Sequence, residues 1–151
     1  MNRNDIESLL REIKDGRKSV EEALEILQDF PFTDLGYAKI DNHREIRTGY
    51  PEIVYCAGKT TDQVTGIFRL MAGKKNNVIG TRASREMYDA VKDIFPEAVW
   101  YPEARIISIP FREMKRPDTA IAVITAGTSD IPVAEEAAVT AELLGNNVLR
   151  I

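Results

Sequence analysis

The chain has 151 residues, 44% hydrophobic and 29% charged, which is about one domain's length and enough to bury roughly two-thirds of its unfolded surface. Its 20 Lys and Arg against 24 Asp and Glu give a net charge of -4, which argues against a general nucleic-acid binder, whose footprint is a basic excess. A single cysteine, Cys56, rules out an internal disulfide framework and fits a reducing, cytoplasmic setting; one His beside it argues against structural zinc, no apolar run approaches a membrane span, and the polar start predicts no signal peptide.

Ile6, Leu9, Leu10 and Ile13 recur at i, i+3, i+4 and i+7, which predicts a helix with Asn4 as N-cap and Gly16 as its stop. Ser19 and Glu22 form a capping box ahead of Val20, Ala23, Leu24 and Leu27, which repeat that spacing until Pro31. The two stripes predict a helical hairpin over residues 1–30, a docking or oligomerisation element as readily as a catalytic one. Residues 37–51 lack a clean period and are dense in polar groups, among them Asp41, His43, Arg44, Glu45 and Arg47, so they read as a functional loop.

From Ile53 the pattern alternates. Ile53–Cys56, Val78–Thr81 and Arg105–Ile109 read as strands. Between them lie helices opened by the Thr60/Gln63 capping box and by Ser84. This order predicts parallel pairing through crossovers. Trp100 and Tyr101 read as cover for the sheet edge. Residues 111–117 are a charged linker between a first domain, 1–110, and a second stretch, 118–151. There Thr119–Thr125 predicts a buried strand, Ala126–Asp130 a turn, Pro132–Leu144 an alanine-rich helix and Asn147–Ile151 a further strand. One βαβ unit is too small for a parallel-sheet domain, so it either extends the first sheet or belongs to a longer protein.

Three constellations carry chemistry. Gly127-Thr128-Ser129-Asp130 lies between the carboxyl end of a strand and the start of a helix, where open α/β sheets bind ligands and exposed helix N–H groups attract phosphate or carboxylate. An ordinary turn capped by Ser129 or Asp130 explains the same residues. Arg44 and Arg47, three apart, suit a forked phosphate contact with His43 adding a switchable charge; surface pairing with Asp41, Glu45 or Glu52 is the simpler account. Lys59 and Arg82 each follow a strand and could meet an anion at one sheet edge. Gly58-Lys59-Thr60 is like the end of a P-loop, but Ile53 stands where its first glycine belongs, so an NTPase is rejected. Cys56, with no cation adjoining it, reads as buried and inert.

Taken together, the hairpin, Phe32–Ala38, the Asp41–Glu52 run, Gly58-Lys59-Thr60, Thr81-Arg82-Ala83 and Val123–Ala137 resemble the LarB family. These are carboxylase/hydrolases of nickel-pincer nucleotide biosynthesis, whose C-terminal domain is similar to the PurE aminoimidazole ribonucleotide carboxylases. The resemblance implies an α/β fold: a small parallel-sheet domain with an N-terminal hairpin, then the first βαβ unit of a PurE-like, flavodoxin-like domain. It implies that nicotinic acid adenine dinucleotide and CO2 or bicarbonate are substrates. The products are pyridinium-3,5-biscarboxylic acid mononucleotide and AMP. No cofactor is covalently bound, and a Mg2+ requirement is left open. The family's chemistry uses a cysteine that adds to the pyridinium ring; Cys56 is not at a matching position, so the chain reads as an N-terminal piece, inactive alone, of an intact homo-oligomer. Asp130 is then the residue expected in the chemistry, with Arg44, Arg47, Lys59, Arg82, Gly127, Thr128 and Ser129 as substrate contacts and no metal ligand. Nucleic acid and membrane are not expected partners. Two alternatives stand beside it: a PurE-type carboxylase of purine biosynthesis, and a non-catalytic nucleotide-binding or assembly module.

Overall fold

The computed structural model describes residues 3–27, 32–42 and 44–151, so the expectations placed on Pro31 and His43 lie outside the described residues. Its contacts group the chain into two compact units, residues 1–52 and 53–151. This is a different cut from the 1–110 and 118–151 division drawn from the sequence.

The first unit holds α1 (Arg3–Lys14), α2 (Val20–Leu27), β1 (Phe32–Asp34), β2 (Lys39–Asp41) and α3 (Arg44–Thr48). α1 and α2 pack as the expected hairpin. Gly16 turns the chain at a φ of +69°, which suits glycine. The Ser19 box closes in both directions: Ser19 N donates to the Glu22 carboxylate at 2.7 Å and Glu22 N to Ser19 Oγ at 3.0 Å. α1 already includes Asn4, so that residue is not its cap. Only part of each stripe is used: Leu9 and Ala23 are buried, while Leu10, Val20 and Leu24 remain exposed. Residues 37–51 are more regular than their composition suggests. β2 pairs antiparallel with β1, Thr33 facing Ile40. The turn between them is held by Leu35 N donating to Ala38 O and Gly36 N donating to Asp34 Oδ1. Three-residue strands have no room for a period, which is why neither was legible.

The second unit runs β3 (Ile53–Tyr55), α4 (Thr61–Gly73), β4 (Val78–Thr81), α5 (Arg85–Ile94), β5 (Val99–Tyr101), β6 (Ile106–Ile109), β7 (Ala120–Val123), a 3-10 turn (Thr128–Asp130), α6 (Ile131–Leu143) and β8 (Asn147–Arg150). α4 and α5 start where their caps predict, with Thr60 and Gln63 bonded reciprocally and Ser84 Oγ accepting from Met87 N. The chain is α/β, as expected, but its main sheet is mixed, in the order β3-β4-β6-β5. β3 and β4 are parallel. β6 is antiparallel to β4 and to β5, which corrects the expectation of parallel pairing there. The α5 crossover delivers β5 rather than β6. A tight return, with Arg105 N donating to Pro102 O, then sends β6 back between β5 and β4. β5 is therefore the sheet edge, and Trp100 on it stacks on Tyr88 of α5 with ring centroids 5.6 Å apart.

Both faces of the central strands are covered. One face meets α4: a β-carbon on Gly80 would lie 2.7 Å from the Phe68 ring and 2.9 Å from Cys56 Sγ. The other carries Ile79 and Ile106, which pack against Val139 and Leu143 of α6 and Leu144 just past its end. α6 also packs on β7 and β8, which form a separate parallel pair. The βαβ unit thus joins the first sheet through its helix and adds no strand to it. The expectation that β7 is buried is corrected: Ile121 is 44% exposed, and Leu149 of β8 is 58% exposed. A two-stranded sheet with a helix on one side leaves its other face to solvent. No helix among the described residues is long and apolar enough to cross a membrane.

Candidate functional site

Because β3 and β4 are parallel, their carboxyl ends leave the sheet at one edge, where ligands of such sheets bind. There Cys56 N donates to Thr81 O at 2.9 Å and Lys59 N to Cys56 O at 3.0 Å, closing the turn into α4. The Lys59 ammonium donates to Tyr55 O at 2.7 Å. Arg82, just past β4, holds a φ of +53°, a conformation uncommon for a non-glycine residue. Ala83 and Arg105 fix this corner. Ala83 N donates to Arg105 O at 2.9 Å, and Arg105 Nε donates to Ala83 O at 3.2 Å.

The Arg82 guanidinium ion-pairs with Glu136 of α6. Glu136 lies six residues past Asp130, about 9 Å along a helix axis. The pair therefore ties the carboxyl edge of β4 to the amino-terminal half of α6. Lys59, Arg82 and Gly127–Asp130 all belong to the second unit. Arg44 and Arg47 belong to the first.

In the turn, Asp130 N donates to Gly127 O at 3.1 Å and Thr125 Oγ1 to the same oxygen at 3.4 Å. Of the two candidate caps, Asp130, the residue before α6, makes no side-chain cap bond. Ser129 Oγ donates weakly to Asp130 Oδ1 at 3.5 Å. The Ser129 hydroxyl and the Asp130 carboxylate both reach back over Gly127, within 3.7 Å of where its β-carbon would sit. Exposed hydroxyl and carboxylate groups thus cluster at the start of α6, whose first N–H groups carry positive potential.

Arg44 and Arg47 are occupied by carboxylates of their own segment. Arg47 donates to both oxygens of Asp41, at 2.6 and 3.5 Å, and Arg44 lies 3.7 Å from Glu52. Burial pushes the Glu52 carboxyl above its ordinary range, and Arg44 opposes that shift. The Arg47 pair is solvent-exposed, so Arg47→Ala is expected to cost less than about 1 kcal/mol, read as a small shift in the urea midpoint.

Cys56 is fully buried, and burial pushes its thiol up to about 11 against a smaller opposing effect of Lys59. The folded protein is therefore expected to react slowly with a disulfide reagent at mildly alkaline pH and fast after unfolding in urea. Rapid stoichiometric labelling of the folded chain would overturn this. Among the described residues no three His, Cys, Asp or Glu side chains converge as a metal-holding group.

Two residues escaped the sequence reading. Glu136 is an ordinary helix-surface glutamate until tertiary structure sets Arg82 on it. Arg105 read only as the start of a strand, and nothing local signalled its left-handed backbone.

Comparison with known proteins places this geometry in a lineage. The chain is 32% identical over 114 residues to an uncharacterized protein of Methanocaldococcus jannaschii, a match covering 71% of the chain and 44% of that relative, so the chain spans under half of the relative's length. Residues 32–112 match the LarB/PurE-like N-terminal domain. That stretch includes Arg44, Arg47, Lys59 and Arg82 and ends before Gly127. The chain belongs to the family of LarB/PurE-like N-terminal domains.

Proposed function

We propose that the chain is part of a LarB-like carboxylase/hydrolase that converts nicotinic acid adenine dinucleotide, CO2 and water into pyridinium-3,5-biscarboxylic acid mononucleotide and AMP. The observation that carries this reading beyond family membership is the Gly127–Asp130 turn, whose carboxylate is not spent on capping α6. In this proposal the pyridinium ring lies over Gly127, and the ligand's phosphates meet the first N–H groups of α6, with Thr128 and Ser129 donating hydroxyl hydrogen bonds. Replacing a ring hydrogen by CO2 releases one proton, and the Asp130 carboxylate accepts it. Arg82 and Lys59 supply positive charge from the neighbouring strand ends. Arg82 also orients α6 through Glu136.

The ring must first be activated by a nucleophile. Cys56 is buried and protonated, so in this proposal the nucleophile comes from the part of the intact protein that corresponds to the rest of the longer relative. Turnover of the dinucleotide by the intact protein, followed as AMP release, tests the reading. Turnover of aminoimidazole ribonucleotide instead would favour a purine-pathway carboxylase. Binding with no turnover of either substrate would favour a non-catalytic module.

A further inference from the structure

The segment read from the sequence as a linker is fastened to the second unit. Buried Asn77 holds it from three sides: its Oδ1 accepts from Phe111 N and Arg112 N at 2.8 and 2.9 Å, and its Nδ2 donates to Arg112 O at 2.9 Å. Farther along, the segment packs closely on the end of α6. A β-carbon on Gly145 would lie 2.7 Å from Met114 Cβ and 3.0 Å from Lys115 O. Between these two attachments the segment and the end of α6 line an open cleft of about 770 Å3. That is within the size range of small-molecule sites.

The cleft wall combines two kinds of group. Phe111, Met114 and Leu143 are apolar, whereas Arg112, Lys115 and Arg116 are cationic and Glu113 is anionic. Glu142 also lines the cleft, but its charge is already met by Arg150, which donates to both its oxygens at 2.6 and 3.0 Å. The carbonyls at the end of α6 are likewise satisfied: Leu144, Gly145 and Asn146 N–H groups donate to Thr140, Glu142 and Ala141. The cleft wall thus carries three cations against Glu113 and a Glu142 already paired with Arg150, and close packing on Gly145 holds the backbone at Met114 and Lys115.

We propose that this cleft binds a small phosphomonoester with an apolar body, its phosphate held by Lys115 and Arg116 and its apolar part against Phe111 and Met114. A dianionic head suits two adjacent cations, and an apolar body covers surface that Phe111, 37% exposed, otherwise leaves to water.

The test is an amide-shift titration of the folded 151-residue chain with phenyl phosphate, inorganic phosphate and phenol. Phenyl phosphate is expected to move the amides of residues 111–116 and 143–145 and to bind at least about tenfold tighter than either of the other two. The K115A/R116A double variant is expected to weaken it by at least about tenfold. Phe111→Ala is expected to remove its advantage over inorganic phosphate. All three side chains are on the surface, and the variants' own spectra report whether they fold. K115E/R116E is a second variant expected to abolish binding. Residues 127–130 are the internal control: shifts confined to them would overturn the proposal while leaving the Asp130 site standing. Unchanged affinity in K115A/R116A would overturn it as well.

Discussion

Gly80→Ala is expected to destabilise the chain by about 1–3 kcal/mol, a large effect for the addition of one methyl group. Gly80 lies in β4 with both flanking strands paired, and its α-carbon faces the Phe68 ring of α4. The added carbon would fall 2.7 Å from that ring and 2.9 Å from Cys56 Sγ. Neither neighbour can retreat freely, because Phe68 and Cys56 are both fully buried. Phe68→Ala alone is expected to cost about 3–5 kcal/mol through the cavity it opens. The two sites touch, so they should not add: combining Gly80→Ala with Phe68→Leu should cost less than the sum of the single changes, because the smaller side chain makes room. Urea unfolding of the four proteins measures this, and strict additivity would show that β4 shifts away from α4 instead. The result bears on function because Gly80 directly precedes Thr81 and Arg82 at the candidate site.

Asp130→Asn is expected to lower turnover of nicotinic acid adenine dinucleotide by the intact protein by about 10²–10⁴-fold, with a much smaller change in KM. The amide keeps the shape of the turn, and since Asp130 makes no cap bond to α6, the stability lost with the charge is limited to its interaction with the helix N-terminus, about 0.3–1 kcal/mol. In the proposed reaction, what is lost is the base that accepts the proton leaving the ring. Incorporation of labelled bicarbonate reads the carboxylation step directly. The 151-residue chain alone is expected to incorporate none, because its one cysteine is buried with a raised pKa. Robust turnover by this chain would place the nucleophile within it and move the active site away from the expected location. An equal loss of binding and turnover in Asp130→Asn would make Asp130 a ligand contact and not a base.

The features legible in the sequence are those whose physics is local. The Ser19/Glu22 and Thr60/Gln63 boxes and the Ser84 cap close within three residues, so residue type and spacing are sufficient to locate them. The same holds for the strand-to-helix junction at Gly127–Asp130, where a small β-branched run, a glycine and an alanine-rich stripe meet. Sequence determined where those elements start and which residues stand at their ends. Tertiary structure decided how they pair and what their side chains meet. β6 runs antiparallel because a four-residue return after β5 reverses the chain, and its apolar pattern is the same in either direction. β7 is as apolar as a buried strand, yet it is exposed because burial depends on which elements cover a face. Arg44 and Arg47 had two accounts on spacing alone; the packing of their segment put carboxylates beside both. Arg82 met Glu136 only once α6 lay across the sheet, since an ion pair between distant segments depends on the path of the whole chain between them.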